Sequence, residues 1–347
     1  MEPEEHILYL SFNSNNSCFC VGTETGFSVY NSCPLKLACK RVLEGGIGIV
    51  EMLNTSNILA LVGGGENPKF DRNKIVIWDD QQCKIVTEII TKYNVQNVKL
   101  NRSKIFIIGE LDIDVLSLGN YYLKIDTIDT YRNPDGIFGI SSESNLICCP
   151  YTEVGKILLK DYNIQEKDNY KTIITKAHQS EIVAITVNRD GTLVATASKQ
   201  GTLIRLFESK NGNLIQEVRR GSKSSQIYSI VFDYSSKYIA CSSNTGTIHI
   251  FMIKKEEKEI KNQKSVFGSI FSFIGFRSEY FDSEWSFAQY HLDYKGKSLV
   301  AFSKKNNNII IVNYDGKYFL GEFDENLGKE CKTSTEKNFL HIENNFL

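Results

Sequence analysis

The sequence has little of what divides a chain or carries it through a membrane. It contains 5 prolines in 347 residues and no proline-rich stretch, so we expect one large domain rather than linked modules. No uncharged apolar run approaches the ~20 residues that a membrane-spanning helix needs. The residues from Met1 to His6 are acidic and lack the basic and apolar regions of a signal peptide, so we expect a cytoplasmic protein.

Net charge and catalytic motifs are also lacking. The 40 basic and 41 acidic residues leave a net charge of −1, which argues against a nucleic-acid binder with a broad basic surface and requires any anion site to be local. No G-x-S-x-G motif supports a hydrolase, and the glycines at 63–65 are not followed by Gly-Lys-Ser/Thr as in a phosphate-binding loop. We therefore expect no enzymatic activity and no nucleic-acid partner.

The nine cysteines form no recognisable framework. Their number is odd, and the closest pairs, Cys18 with Cys20 and Cys148 with Cys149, have the wrong spacing for zinc and no histidine nearby. Several cysteines lie inside apolar strand patterns, as small core residues do. We expect reduced cysteines packed in the interior, without a metal ion or any other cofactor.

Short strands separated by Gly, Asn, Asp and Ser fill the chain. Matching points in neighbouring units lie about one blade length apart, within the ~40–45-residue period of four-stranded propeller repeats. Trp78-Asp79 is the dipeptide typical of WD-type blades. Seven such units predict an all-β fold, a seven-bladed β-propeller with four-stranded blades over residues 1–325.

The units of the repeat pattern differ in how clearly their strands can be assigned. The fifth unit is the clearest, with predicted strands at 182–187, 193–197, 202–207 and 214–218. The last unit is assigned predicted strands at 286–292, 298–302, 308–313 and 318–323. The tail at 326–347 is polar and rich in Lys, Asn and Glu, a composition typical of a disordered segment.

Two adjacent arginines, Arg219 and Arg220, lie between two similar strand-turn-strand segments at 194–207 and 239–251. Each segment offers Ser, Thr and one basic or imidazole side chain around a glycine turn. Neighbouring side chains of a strand leave on opposite sides, so the arginines would serve two adjacent anion sites. The alternative is an ordinary solvated charge pair at a strand end.

A segment at 254–283 interrupts the strands of the sixth unit. Its first part is highly charged, whereas 265–276 carries no charge. Apolar residues in that run recur with the spacing of one helix face, which is typical of a helix lying in a bilayer interface. The alternative is that the run packs against the side of the propeller. The candidate membrane-inserting residues are Val266, Phe267, Ile270, Phe271, Phe273, Ile274 and Phe276.

The stretch Val218-Arg-Arg-Gly221 resembles the Phe-Arg-Arg-Gly signature of the PROPPIN family, with Val218 in place of the usual Phe or Leu. The segments at 57–70, 73–79 and 279–290 are similar to that family as well. The chain is thereby identified as a member of the PROPPINs, the WIPI-like, phosphoinositide-binding WD-type β-propellers of autophagy.

The resemblance implies two phosphoinositide sites, one on each side of the arginine pair. Site 1 would contain His178, Ser198, Lys199, Thr202, Arg205 and Arg219. Site 2 would contain Arg220, Ser242, Ser243, Thr245, Thr247 and His249. His178 has an equally plain alternative as a hydrogen-bonded structural histidine of the blade. His249 would gain charge near phosphates, so we expect affinity to rise as the pH falls toward 6.

The implied function is that of a peripheral membrane scaffold in autophagosome formation or related membrane traffic. It would be monomeric in solution and bind phosphatidylinositol 3-phosphate and its 3,5-bisphosphate edge-on to autophagic, endosomal or vacuolar membranes. In the family the blade-two loop recruits the autophagy lipid-transfer protein, which makes Pro68, Lys69, Phe70 and Arg72 candidates for that contact. The alternative is a WD-type protein-interaction scaffold without lipid binding, in which the arginines bind an acidic peptide.

Overall fold

A computed structural model describes residues 5–119, 121–166, 169–254, 284–304 and 307–342. Within those ranges the chain forms 29 strands and one short 3-10 helix at Phe339–His341, arranged in six hydrogen-bonded sheets. Neighbouring strands of a sheet are antiparallel, except for one parallel pair of strands in each of the last two sheets. The predicted all-β propeller class is confirmed.

The first four sheets each contain four consecutive strands. The first contains β1 (Ile7–Phe12), β2 (Cys18–Thr23), β3 (Gly26–Ser32) and β4 (Leu35–Val42), and the second contains β5 (Ile47–Met52), β6 (Ile58–Gly63), β7 (Lys74–Asp79) and β8 (Lys84–Ile90). The third contains β9 (Asn97–Leu100), β10 (Lys104–Ile108), β11 (Asp112–Ser117) and β12 (Lys124–Asp129), and the fourth contains β13 (Gly139–Ile140), β14 (Leu146–Pro150), β15 (Lys156–Glu166) and β16 (Asn169–Lys176).

The last two sheets are larger. The fifth contains β17 (Ile182–Val187), β18 (Leu193–Ser198), β19 (Leu203–Glu208) and β20 (Leu214–Arg219), and it gains β24 (Glu284–Trp285) as a fifth strand parallel to β20. The sixth runs in the order β21-β22-β23-β25-β29-β28-β27-β26. Its members are β21 (Ile227–Phe232), β22 (Tyr238–Ser243), β23 (Thr247–Met252), β25 (Ala288–His291), β26 (Ser298–Phe302), β27 (Asn308–Asn313), β28 (Lys317–Asp324) and β29 (Gly328–Asn338).

The prediction of seven separate four-stranded blades is wrong. The described chain has five blade-like sheets and one eight-stranded sheet, because β25 and β29 pair in parallel through Ala288 with Lys329 and Gln289 with Glu330. The segment assigned to the start of the last unit is instead β25, the partner of β23. A join of two parallel residue pairs leaves no periodic trace in the sequence, so the repeat count could not reveal it.

The segment expected to be a polar tail also differs from expectation at residues 328–341. It forms β29, which lies along β28, and then the 3-10 helix. The side chains of β29 are mostly polar and exposed, with Cys331 buried. An outer strand that buries only one face has nearly as many polar residues as a solvated tail. Composition therefore could not distinguish the two.

The core lies between the sheets. Inner strands are buried on both faces, as β2 shows with all of its residues buried, whereas the outer strand β4 alternates between half-buried and exposed positions. Propeller sheets are covered by neighbours on both sides, so their inner strands lose the alternation of a half-exposed sheet. The first strands of the sheets, together with β26, line a cavity of about 700 Å³, in which Lys99 Nζ pairs with the Glu51 carboxylate at 2.8 Å.

The two ends of the chain meet in one cluster. The ring of Phe339 is fully buried against the rings of Phe19 and Tyr30, at centroid distances of 5.2 and 5.4 Å. The hydroxyl of Tyr318 donates to the carbonyl of Ser32 at 2.8 Å. These contacts join the last sheet to the first.

Candidate phosphoinositide site

The arginine pair lies at the end of β20, where the strand alternation is well defined. Val218 packs into the hydrophobic cluster shared by the fifth sheet and β21–β23, together with Ile204 and Cys241. Arg219 therefore faces the opposite side of the sheet, and Arg220 returns to the side of Val218. Their exposed fractions are 7% and 6%, so the alternative of an ordinary solvated charge pair does not hold.

Arg220 is held by backbone carbonyl groups. Its Nε donates to the carbonyl of Gly201 at 2.9 Å, and its Nη2 donates to the carbonyl of Lys223. Burial lowers the pKa of Arg220, although an arginine stays protonated at neutral pH. Carbonyl oxygens orient a guanidinium without cancelling its charge, so the charge remains available to an anion.

The turn beside Arg220 depends on a glycine. Gly201 has a φ of +63°, and a Cβ there would lie 1.7 Å from the carbonyl oxygen of Ser225. The carbonyl of the next residue, Thr202, accepts the backbone N–H of Arg220 at 2.9 Å. Any other residue at position 201 would displace the carbonyls that position the guanidinium.

Most of the predicted site 2 residues lie on one face. Thr247 and His249 share the face of β23 that turns toward β20, because Phe251 on the same face packs with Val218. Both side chains contact residues that follow the insert. Thr247 Oγ1 lies 3.2 Å from His291 Nδ1, and His249 Nδ1 lies 3.2 Å from Ser286 Oγ. Ser243 and Thr245 are joined by a hydroxyl contact of 2.9 Å at the turn.

Ser242 is the exception in site 2. Its hydroxyl is fully buried and donates to the carbonyl of Ser298 at 2.6 Å, on the face of β22 that packs against β26. Ser243 and Cys241 occupy the opposite face. The structure therefore places Ser242 away from Arg220, and the sequence-based assignment of both serines to one site does not fit strand alternation.

Site 1 is built from β18, β19 and the residues before β17. Arg205 Nε donates to Glu217 Oε2 at 2.8 Å, and its Nη1 donates to the carbonyl of Ala177 at 2.7 Å. Lys199 pairs with Glu181 at 3.0 Å. Sequence reasoning missed both carboxylates. Glu217 lies opposite Arg205 in the β19–β20 register, which an alignment of the predicted strands could have shown.

Three more of the predicted site 1 residues are buried and already form hydrogen bonds within the protein. The His178 Nε2 lies 2.9 Å from Thr196 Oγ1, which favours its alternative as a structural histidine. Ser198 and Thr202 are buried, and their carbonyls accept the backbone N–H groups of Gly201 and Arg220. These two residues shape the turn between β18 and β19, on which both sites depend.

Both histidines are kept neutral. Burial first, and then the charge of Arg205, lowers the pKa of His178 to about 4. Burial first, and then Arg220 and His291, lowers the pKa of His249 to about 4. The free site therefore holds a neutral His249 at pH 6, so the predicted rise in affinity toward that pH requires bound phosphate to raise the pKa of His249.

Comparison with known proteins decides the family. The PROPPIN family model matches residues 7–336, which is nearly the whole chain. The chain belongs to the PROPPIN family. Autophagy-related protein 18e of Arabidopsis thaliana is 32% identical over 345 residues, which cover 97% of this chain and 89% of that protein.

Solved structures of similar proteins share the fold. The Kluyveromyces lactis Hsv2 structure described as containing the complete loop 6CD has a TM-score of 0.81 at 23% identity, covering 96% of this chain and 99% of that one. A complex of KlAtg21 with the coiled coil of AgAtg16 has a TM-score of 0.76 at 23% identity, with the same coverage. These likenesses support the propeller architecture of this PROPPIN.

The predicted membrane-inserting residues, Val266 to Phe276, lie outside the described residues. The residues that flank the segment are described, and they are held together at β20. Gln216 Nε2 donates to the carbonyl of Met252 at 3.0 Å and to Glu284 Oε2 at 3.2 Å, while its Oε1 accepts the backbone N–H of Lys254 at 3.1 Å. Lys254 and Glu284 also form an ion pair. Both flanks are thus fixed beside the strand that carries Arg219.

The blade-two loop of this PROPPIN is folded back rather than extended. Pro68 forms a bridge with Gly46, and Lys69 donates its N–H to the carbonyl of Gly46 at 3.0 Å. Arg72 Nη2 donates to the carbonyl of Gly65 at 3.2 Å, and Phe70 packs partly buried against the neighbouring cluster. Pro68, Lys69 and Arg72 remain exposed, so the loop presents them on a fixed surface.

Two features are absent from the described residues. Within them, no group of three His, Cys, Asp or Glu side chains is placed to hold a metal ion. No helix in the same residues has the length and apolar character to cross a bilayer.

Proposed function

We propose that this PROPPIN is a peripheral membrane scaffold that binds phosphatidylinositol 3-phosphate and its 3,5-bisphosphate through the two sites beside Arg219 and Arg220. It would act in autophagosome formation or related membrane traffic. The observation that carries the proposal is the arginine pair itself, buried at the end of β20 and directed to opposite faces. Family membership and the autophagy-related homologues support it.

The chemistry of Arg220 suits a phosphate monoester. A guanidinium has five N–H donors in a planar fork, and carbonyls take the Nε and one Nη2 donor of Arg220. The remaining donors can form two parallel hydrogen bonds to phosphate, which are shorter and stronger than neutral ones. The hydroxyls of Ser243, Thr245 and Thr247 would complete the shell.

The position of the insert supports membrane docking. Gln216 holds both flanks of the 255–283 segment on the same strand that ends in the arginine pair. A residue that enters the bilayer from that segment would therefore act beside the headgroup sites. Stable attachment of a protein to a membrane usually takes two such signals.

A scaffold also needs protein partners. The neighbouring structure of KlAtg21 in complex with the coiled coil of AgAtg16 supports a partner role for this propeller. We propose the exposed surface of Pro68, Lys69 and Arg72, with Phe70 beneath it, as the contact for the autophagy lipid-transfer protein. The protein would be monomeric before it reaches the membrane.

The first experiment is vesicle flotation with and without phosphatidylinositol 3-phosphate. We expect wild type to float only with the lipid, and the double variant Arg219→Thr/Arg220→Thr not to float. The matched control is Arg41→Thr/Arg102→Thr, which removes one arginine of β4 in the first sheet and one between β9 and β10 in the third. Failure of wild type to float on any phosphoinositide would favour the protein-interaction scaffold without lipid binding.

Because Arg219 and Arg220 are buried, the double variant could lose stability as well as binding. A second measurement on wild type alone avoids this ambiguity. Soluble inositol 1,3-bisphosphate at a hundredfold excess over its Kd should raise the melting temperature by about 3–4 °C. No shift at any concentration would contradict a headgroup site.

A further inference from the structure

The two tryptophans of the chain have opposite environments. Trp78 is 9% exposed, and its Nε1 donates to Asp80 Oδ1 at 3.2 Å inside the second sheet. Trp285 is 61% exposed. A large apolar side chain in that position needs an explanation from its surroundings, because tryptophan is usually well buried on average.

Trp285 lies directly beside the arginine pair. It belongs to β24, which pairs in parallel with β20 through Val218 with Glu284 and Arg219 with Trp285. Neighbouring strands lie about 4.8 Å apart, so the backbone of Trp285 is the next strand outward from Arg219. An exposed indole thus sits at the rim of the sheet, next to the residue proposed to bind a lipid headgroup.

The residues on both sides of Trp285 are fixed. Glu284 accepts a hydrogen bond from Gln216 and an ion pair from Lys254. Ser286 contacts His249 of site 2 at 3.2 Å and accepts from Gln289 Nε2 at 2.7 Å. The indole is therefore presented on a backbone that is already ordered, so little conformational freedom is lost when it binds.

We propose that Trp285 is a membrane-contact residue whose indole enters the boundary between headgroups and acyl chains beside the lipid bound at Arg219. Tryptophan is the side chain best suited to that boundary, because its ring is apolar and its N–H seeks a polar partner. The inference deepens the proposed function and rests on it. It assigns to β24 a contact with lipid that is separate from the headgroup sites.

The test compares Trp285→Ser with Tyr121→Ser, which removes another exposed aromatic ring, 83% exposed, between β11 and β12 of the third sheet. On vesicles with phosphatidylinositol 3-phosphate, Trp285→Ser should bind about tenfold more weakly than wild type, and Tyr121→Ser should bind as wild type does. Affinity for soluble inositol 1,3-bisphosphate should be unchanged in both variants. Equal vesicle binding by wild type and Trp285→Ser would overturn the proposal and point to a protein partner for the indole.

Fluorescence reports on the indole itself. The emission of Trp285 is the difference between wild type and Trp285→Phe, since both retain Trp78. We expect that difference spectrum to shift to the blue on these vesicles and to be quenched by brominated lipids. If wild type floats but the spectrum does not change, this inference fails while the proposed function stands; if wild type does not float, the proposed function fails first.

Discussion

The two candidate sites use the same backbone but differ in how their cations are balanced. In site 2, the described hydrogen bonds of the Arg220 guanidinium go to two carbonyl groups. In site 1, Arg205 is paired with the carboxylate of Glu217 and Lys199 with that of Glu181. A phosphate arriving at site 1 must compete with a resident anion, whereas at site 2 it meets an uncancelled charge.

The two repeats also differ at the matching positions of Arg205 and His249. Arg205 lies opposite Glu217 in the register of β19 with β20, and His249 lies opposite Gln289 in the register of β23 with β25. At this position site 1 carries an arginine paired with a carboxylate, whereas site 2 carries a neutral histidine, and the uncancelled charge of site 2 is that of Arg220. We infer that site 2 supplies more of the headgroup affinity than site 1.

The largest expected effect on vesicle binding distinguishes Arg220 of site 2 from Arg205 of site 1. Arg220→Thr should weaken vesicle binding by about a hundredfold, since losing a desolvated charge partner costs roughly 2–5 kcal/mol. Arg205→Thr should weaken it by about tenfold or less, because Glu217 already neutralises that side chain. Both are measured by vesicle titration with phosphatidylinositol 3-phosphate. An Arg205 effect equal to that of Arg220 would break the comparison.

The next effect is on folding stability, and it tests the buried neutral histidine that both sites contain. An unfolded chain protonates histidine near pH 6.5, but the folded pKa values of His178 and His249 are about 4. Stability is therefore complete above pH 6.5 and is lost as the pH falls from 6.5 toward 4. At pH 5 the loss is about 2 kcal/mol for each histidine.

Urea unfolding at pH 7.5 and pH 5.0 measures this loss. In His178→Gln and in His249→Gln, the stability difference between the two pH values should shrink by about 2 kcal/mol relative to wild type. His341, which lies in the 3-10 helix away from both sites, provides the control as His341→Gln. A wild-type stability that does not fall between these pH values would contradict the burial argument.

The smallest effect sharpens the comparison by making site 1 resemble site 2. Glu217→Gln keeps the shape of the side chain and removes its charge, which frees Arg205 for phosphate. Vesicle affinity should rise by about three- to fivefold, in line with the ~1 kcal/mol of a partly exposed ion pair. The control is Glu88→Gln on the outer strand of the second sheet, which removes the partner of Lys74. Vesicle affinity should not change in this variant. A decrease with Glu217→Gln would show that the pair positions Arg205 for binding.

Strand alternation and the repeat period account for what the sequence could predict. They place Arg219 and Arg220 on opposite faces, and they align Arg205 with His249. The same alternation separates Ser242 from Ser243, which a carry-over from the family pattern overlooked. Family resemblance names positions, but the direction of a side chain follows from its strand.

The features that sequence could not predict all depend on contacts between distant segments. The parallel join at Ala288 and Gln289, the addition of β24 to the fifth sheet, and the bridge from Pro68 to Gly46 each involve only one or two residue pairs. Such short pairings have no period to detect. The pairing of Arg205 with Glu217 differs from these, because an alignment of the two neighbouring predicted strands could have shown it.

The closure of the propeller by Tyr318 and Phe339 has a consequence for how the protein is made. The hydroxyl of Tyr318 reaches Ser32 across 286 residues of sequence. A ribosome adds about 5–20 residues per second, so the first sheet waits roughly 15 to 60 s after its own synthesis for the segment that covers it. During that interval Phe19 and Tyr30 lack their final partners, and the nascent chain is a natural client for a chaperone that shields apolar surface.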